Sequence, residues 1–427
     1  MAILTSAAPA PPASTTAAAP RYTSALASLT VLFFMMGFIT CLNDILIPYL
    51  KAIFQLSYTQ ANLINLCFFG AYLLVSIPAG KLVARVGYKG GMLLGFAVAA
   101  VGCFLFYPAA ASRAYGLFLG ALFILATGIT LLQVAGNPYV AILGRAESAS
   151  ARLTLTQAFN SLGTFLAPQV GALLILNQLP KHITAGAVVD VSAVQTPYLV
   201  IGGVMLVLCF LLSRLALPVV EHDPPAHAPA AGPRRAWQYP HLLWGVVGIF
   251  AYVGAEVAIG SHIVSYLQQP DVRGLSALEA GLQVKYYWGA AMVGRFVGAY
   301  LLGKIRPGRL LAANAGGAAA LVLLSIASRG AVAQYSLLAV GLMNSLMFSA
   351  IFTLAVARLG RLTEEASGLL CTAIVGGAVV PMLFGYVADA SGLRWAFALP
   401  VLCYAYIAWY GLRGSRLPEE AAPVLPG

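Results

Sequence analysis

Charge is what this chain has least of. Only 9% of its 427 residues are Asp, Glu, Lys or Arg and 60% are apolar, whereas an ordinary soluble domain carries about 25% charge. With a mean hydropathy of +0.87, the composition excludes a soluble globular domain. Acids are the scarcer sign, 13 against 24 basic residues, for a net charge of +11. In a soluble chain that balance would suggest nucleic acid. In an apolar one it reflects basic residues kept in cytoplasmic loops, and no nucleic-acid partner is expected. Paired cysteines are missing as well. Cys41, Cys67, Cys103, Cys209, Cys371 and Cys403 all fall in apolar runs without CxxC or metal-ligand spacing, which argues against disulfides and a metal site. No DxxxD-type acid cluster appears and the loops hold few acids, so a membrane-embedded transferase is set aside and no catalytic residue is assigned. The first 24 residues lack the basic start and apolar centre of a cleaved leader and read as a disordered tail.

What the chain has in abundance is apolar runs of about 20 residues, each long enough to cross a bilayer as a helix. Cutting at charged or Pro/Gly-rich breaks gives twelve, near 25–50, 57–80, 90–111, 114–143, 153–178, 196–217, 239–268, 277–303, 308–328, 331–357, 365–388 and 393–413. The longest central break, "PVVEHDPPAHAPAAGPRRAWQYP", divides them six and six, and its Pro/Ala content suits an exposed linker. The organisation expected is a tail at 1–24, a six-helix half at 25–217, a cytoplasmic linker at 218–238, a second half at 239–414 and a tail at 415–427. Alternate loops, the linker and the tails hold 16 of the 24 basic residues, which places both termini in the cytoplasm.

The second half repeats the first. "GFITCLNDILIPYL" from Gly37 and "GAEVAIGSHIVSYL" from Gly254 share their Gly and closing Tyr-Leu, 217 residues apart, and "GTFLAPQVG" from Gly163 resembles "GGAVVPMLFG" from Gly376. The fold expected is therefore all-α and membrane-embedded, with twelve transmembrane helices in two pseudo-symmetric halves facing each other across a midplane cavity.

Two acids lie well inside the spans, Asp44 and Glu256. A charge at mid-bilayer costs about 2.5–3.5 kcal/mol on insertion scales, so such residues face a protein interior or an aqueous cavity by default. Their registers differ, since Asp44 aligns with Ser261 and Glu256 with Ile39. Amides cluster at helical spacing: Gln133 and Asn137 share one face, Gln157, Asn160 and Thr164 share another, and Asn344 lies inside the tenth span. Lys285, Trp288 and Arg295 run along the eighth. Amides and a carboxylate replace the hydrogen bonds that a hydroxyl-rich solute leaves behind in water, and aromatics such as Trp288 offer it an apolar face.

Together, "FITCLNDILIP", "FFGAYLLVSIPAGKLVARVGYKGG", "LLQVAGNPYV" and "RLTLTQAFNSLG" resemble the fucose permease and glucose/galactose transporter branch of the major facilitator superfamily. The likeness runs from about Thr23 to Arg413 and includes "YVGAEVAIGS" and "YWGAAMVGRF". It implies an alternating-access symporter of a monosaccharide, in the inner membrane of a bacterial-type cell, that is no enzyme and functions as a monomer in the lipid bilayer. In the fucose permease the proton-linked carboxylates are an acid of the Asn-Asp motif in the first helix and a Glu in the fourth. The first corresponds to Asp44, beside Asn43; at the second position this chain has Gln133, which cannot titrate. The substrate-binding set implied is Gln133, Asn137, Gln157, Asn160, Glu256, Trp288 and Asn344, with Asp44 and Asn43 holding the coupling cation. A proton is favoured, sodium is the rival, and no cofactor is expected. An uncoupled facilitator is the further alternative. The superfamily's G-x-x-x-D-R-x-G-R-K loop reads "GKLVARVGYK", with Ala84 in place of the acid. Gating at this loop then falls to Gly80, Arg85 and Lys89, and the usual latch must use other contacts.

Overall fold

The computed structural model describes residues 23–54, 58–174, 195–215, 217–218 and 235–417; within these, the side chains of 23–24, 42–54, 58–63, 65, 168–174 and 277–278 lie outside the description. Among the described residues there is no strand. The first half consists of α1 (Thr23–Phe54), α2 (Tyr58–Ser112), α3 (Tyr115–Ile142), α4 (Ala149–Leu174) and α5 (Gln195–Arg214). The second consists of α6 (Pro240–Leu267), α7 (Ala277–Leu302), α8 (Pro307–Ala327), α9 (Gly330–Asn344), α10 (Met347–Ala355), α11 (Thr363–Thr372), α12 (Gly376–Ser391), α13 (Leu393–Ala396) and α14 (Ala398–Trp409).

Among the described residues, six crossings make up each half. The spans expected at 57–80 and 90–111 belong to one continuous element, α2, which turns at the single residue Gly87 (φ 75°, ψ 168°). That conformation is closed to a β-carbon, so a one-residue turn is available only to glycine. In the second half, three crossings are each broken in two: α9 with α10, α11 with α12, and α13 with α14. Among the described residues, eight runs are long and apolar enough to cross a membrane, and the first, Leu66–Ser112, holds two crossings. The remaining crossings are α1, whose described apolar run is Ala25–Cys41, and the more polar α4 and α7. Those two pack against each other, with Phe159 edge-on to Phe296 at 5.8 Å between ring centroids. These two more polar crossings thus meet on the seam between the halves, while the opposite face of α7, with Leu282, Val293, Val297 and Tyr300, stays exposed and apolar.

The internal repeat has a packing counterpart. A Cβ at Gly37 would fall 2.0 Å from the carbonyl oxygen of Asn160, and one at Gly163 2.2 Å from that of Phe34, so α1 and α4 touch backbone to backbone. In the second half, a Cβ at Gly254 would meet Gly376 O at 3.1 Å, and one at Gly376 would meet Phe250 O at 2.2 Å, joining α6 to α12. Close approach through small residues is how membrane helices associate when lipid is as apolar as their side chains.

The two halves also meet at the end of the bundle where the basic loops gather. A Cβ at Gly80 on α2 would lie 2.8 Å from Glu364 O and 3.3 Å from Gly368 Cα; one at Gly368 would lie 2.7 Å from Ser76 O. Nearby, Ser150 and Thr353 share a 2.5 Å hydrogen bond, and Ser367 donates to Val134 O at 2.9 Å. These contacts join the halves at this end with Ala84 in place of a loop acid. Lys89 is not part of them: its ammonium donates to Ser213 O and Leu215 O, both at 2.8 Å, and so caps the end of α5.

Candidate functional site

On α3, the helical turn between Gln133 and Asn137 puts both amides on one face. Gln133 is half-buried and its Nε2 donates to the Tyr72 hydroxyl of α2 at 2.7 Å. Asn137 is fully buried; its Oδ1 accepts from Gln157 Nε2 of α4 at 3.4 Å, and its Nδ2 has no partner among the described residues. One turn along α4, Asn160 donates to Phe33 O of α1 at 2.9 Å, and Thr164 reaches Gly37 O at 3.4 Å. Gln133, Asn137, Gln157 and Asn160 therefore form one polar stripe. Its far end stitches α1 to α4, each such bond contributing about 0.6 kcal/mol in a membrane interior. Asn43 and Asp44 lie on the same α1, and their side chains fall outside the described residues.

The second half carries a matching cluster. Asn344, fully buried at the end of α9, donates to the Tyr287 hydroxyl of α7 at 2.8 Å, which in turn donates to Glu256 O of α6 at 3.3 Å. The Glu256 carboxylate and the Arg295 guanidinium face each other at 3.8 Å with 12% and 14% of their side chains exposed. The Tyr252 hydroxyl also faces the Glu256 carboxylate, and the Tyr404 hydroxyl faces the Asn344 amide. Trp288 stands over Gly260, edge-on to Tyr287 at 5.1 Å, and remains 37% exposed.

Arg295 joins the two clusters. Beyond Glu256, its Nε donates to Ser345 O at 3.2 Å and its Nη1 to the hydroxyl of Ser161, on the opposite half. The break between α9 and α10 makes the Ser345 carbonyl available, because the ladder of α10 starts only at the Ala350-to-Leu346 bond. A planar guanidinium with several donors suits a three-way contact of this kind; an ammonium does not. Ser161, Tyr72 and Tyr287 were missed by sequence reasoning. Ser161 follows Asn160 directly, while the two tyrosines looked like any membrane aromatic. Arg295 was visible as a cation out of place, without a partner.

The Major Facilitator Superfamily profile matches residues 27–374. The chain belongs to the Major Facilitator Superfamily. It is 54% identical over 401 residues to a glucose/galactose transporter of Brucella abortus biovar 1 (strain 9-941), covering 94% of this chain and 96% of the relative. It is 34% identical to the L-fucose-proton symporter of Escherichia coli (strain K12), covering 90% and 92%. A crystal structure of the superfamily transporter FucP in the outward conformation superposes with a TM-score of 0.84 at 33% identity, over 93% of this chain and all 100% of that one. The family and the twelve-crossing, two-half fold expected from the sequence both hold, and the relatives are transporters, not enzymes.

Proposed function

We propose that this member of the superfamily takes up a monosaccharide such as glucose, galactose or L-fucose by alternating access, coupled to a cation gradient and to protons in particular. The observation carrying this reading is the 54% identity, over nearly the whole length of both chains, to a protein named as a glucose/galactose transporter. The basic end of the bundle is cytoplasmic, the membrane is the inner one, both termini lie in the cytoplasm and the monomer is the working unit. In the geometry described, the halves are then joined at the cytoplasmic end. Sugar hydroxyls exchange water for Gln133, Gln157 and Asn160 on one side and for Glu256 and Trp288 on the other, while Asn137 and Asn344 set those groups from within. The buried Asn137 Nδ2, a donor without a partner among the described residues, supports a polar ligand at this stripe, since such an atom costs free energy until something bonds it.

Asp44, with Asn43, takes the coupling proton, because Gln133 removes the second titratable group from α3. Neutralising Asp44 lowers the cost of carrying the loaded site past the apolar core. Sodium is the second reading, supported by the hard oxygen donors that Asp44 and Asn43 bring together in sequence. Proteoliposome uptake of a panel of labelled hexoses, with pH and sodium gradients imposed separately, tests the proposal. Concentrative uptake of a hexose under an inward proton gradient is expected; uptake that only equilibrates under either gradient would make the chain a facilitator.

A further inference from the structure

Where the halves meet at the basic end, they line an open cleft of about 670 Å³. Its walls come from three separate stretches of chain: Lys81 and Arg85 on α2, Arg235 and Trp237 just before α6, and Arg361 and Glu365 at the entry to α11. Four cations therefore surround one carboxylate, and none of them forms an ion pair within 4.0 Å with another described residue. A preference for basic loops accounts for the sign of these residues. It does not account for their convergence on one concavity from both halves and the linker. Like charges gathered around one hollow repel one another until an anion offsets them, and here all four are exposed to solvent, where an anion can reach them. Arginine forks and a lysine are the groups that hold phosphate oxygens. Trp237, 50% exposed on the wall, offers a flat apolar face to whatever carries the phosphate.

We propose that this cleft binds a phosphate-bearing anion, which ties α2 to α11 and holds the basic end of the transporter shut. Lys81 follows Gly80 and Glu365 follows Glu364, so the cleft borders the contact at which Gly80 meets the backbone of Glu364 and Gly368. When that contact parts, the lining cations separate and the site is dismantled. An anion that binds only the closed form draws the population toward it. The consequence for uptake, a brake applied from the cytoplasmic side, rests on the transport function proposed above; the binding itself does not.

The purified full chain is placed in nanodiscs of phosphatidylcholine, with or without phosphatidylglycerol. Glucose 6-phosphate and inorganic phosphate are titrated by calorimetry and thermal stability is followed, in parallel with Lys81→Gln/Arg361→Gln, one change in each half. Saturable binding of the ester, displaced by inorganic phosphate and weakened about tenfold or more in the double variant, is the expected result. If the soluble anions fail to bind but phosphatidylglycerol stabilises the parent and not the variant, the occupant is a lipid headgroup and the site stands. Absence of both effects, equal effects in the variant, or reproduction by potassium chloride at matched ionic strength overturns the proposal. Hexose uptake is measured separately: binding without any transport would count against the transport reading and leave the site intact.

Discussion

The glycine contact between the halves can be probed with one methyl group. At Gly368 an added Cβ would sit 2.7 Å from Ser76 O and 3.3 Å from Gly80 Cα. A comfortable C···O separation is about 3.3 Å, and both obstacles are backbone, which cannot swing aside. Gly368→Ala must therefore push α2 and α11 apart by about half an ångström, an overpacking strain of about 1–3 kcal/mol. The strain exists only while the basic end is closed. It accordingly tilts the balance toward the open form by about 5–150-fold. Spin labels at the exposed Val86 and Arg358 report the change as a longer distance distribution. Gly80→Ala, whose Cβ would meet Glu364 O at 2.8 Å, acts at the same contact, so the double variant costs less than the sum of the singles. Gly385→Ala on α12, with nothing within 4 Å of the added atom, should change nothing. If Gly368→Ala gives the same distances and uptake as Gly385→Ala, the glycine contact is not what closes this end.

Arg295→Lys keeps the charge opposite Glu256 but cannot reach Ser345 O and Ser161 together, so substrate uptake should fall at least as far as with Ser161→Ala; parent-like uptake would remove Arg295 as the tie between clusters. Arg295→Met leaves a buried carboxylate unpaired, a loss of about 3–5 kcal/mol, and should lower Tm more than Arg295→Lys does. Asn160→Ala frees the Phe33 carbonyl that its amide now satisfies, costing about 0.6–1.7 kcal/mol; hydrogen exchange in α1 should rise, and exchange equal to the parent's would show that α1 is held by its glycine contacts alone. At the opposite end of the bundle, Arg394 bonds Asp271 at 2.5 Å and also the carbonyls of Ile326 and Ser328. Because Asp271 is 44% exposed, the ion pair itself is worth under about 1 kcal/mol, so Arg394→Met should lower Tm more than Asp271→Asn, and equal shifts would contradict that division.

Much of the fold was legible because the bilayer imposes a length on every apolar run, and because Gly37, Gly163, Gly254 and Gly376 mark both halves at places where backbones touch. The joins were harder. A loop was expected between 80 and 90, yet Gly87 alone turns α2, and no hydropathy pattern distinguishes a turn of one residue from a loop of nine. Polar side chains inside spans were easy to find, since the lipid makes each one conspicuous. Their partners were not. Asn160 reads like a substrate ligand in sequence, and only the geometry shows that its amide nitrogen also donates to the Phe33 carbonyl in this conformation. Arg295 depends on Ser161, 134 positions away, and on a carbonyl that a helix break makes available. Such pairings follow from how two halves meet, which the order of residues along one span does not encode.

Coupling of sugar movement to a cation falls to Asp44 on α1 in the mechanism proposed above. It is tested most directly in proteoliposomes carrying Asp44→Asn, with sugar accumulation under an inward proton gradient measured alongside sugar-for-sugar exchange at equal pH. Accumulation above the external concentration should disappear while exchange continues. Accumulation at the parent's level in the variant would contradict this assignment.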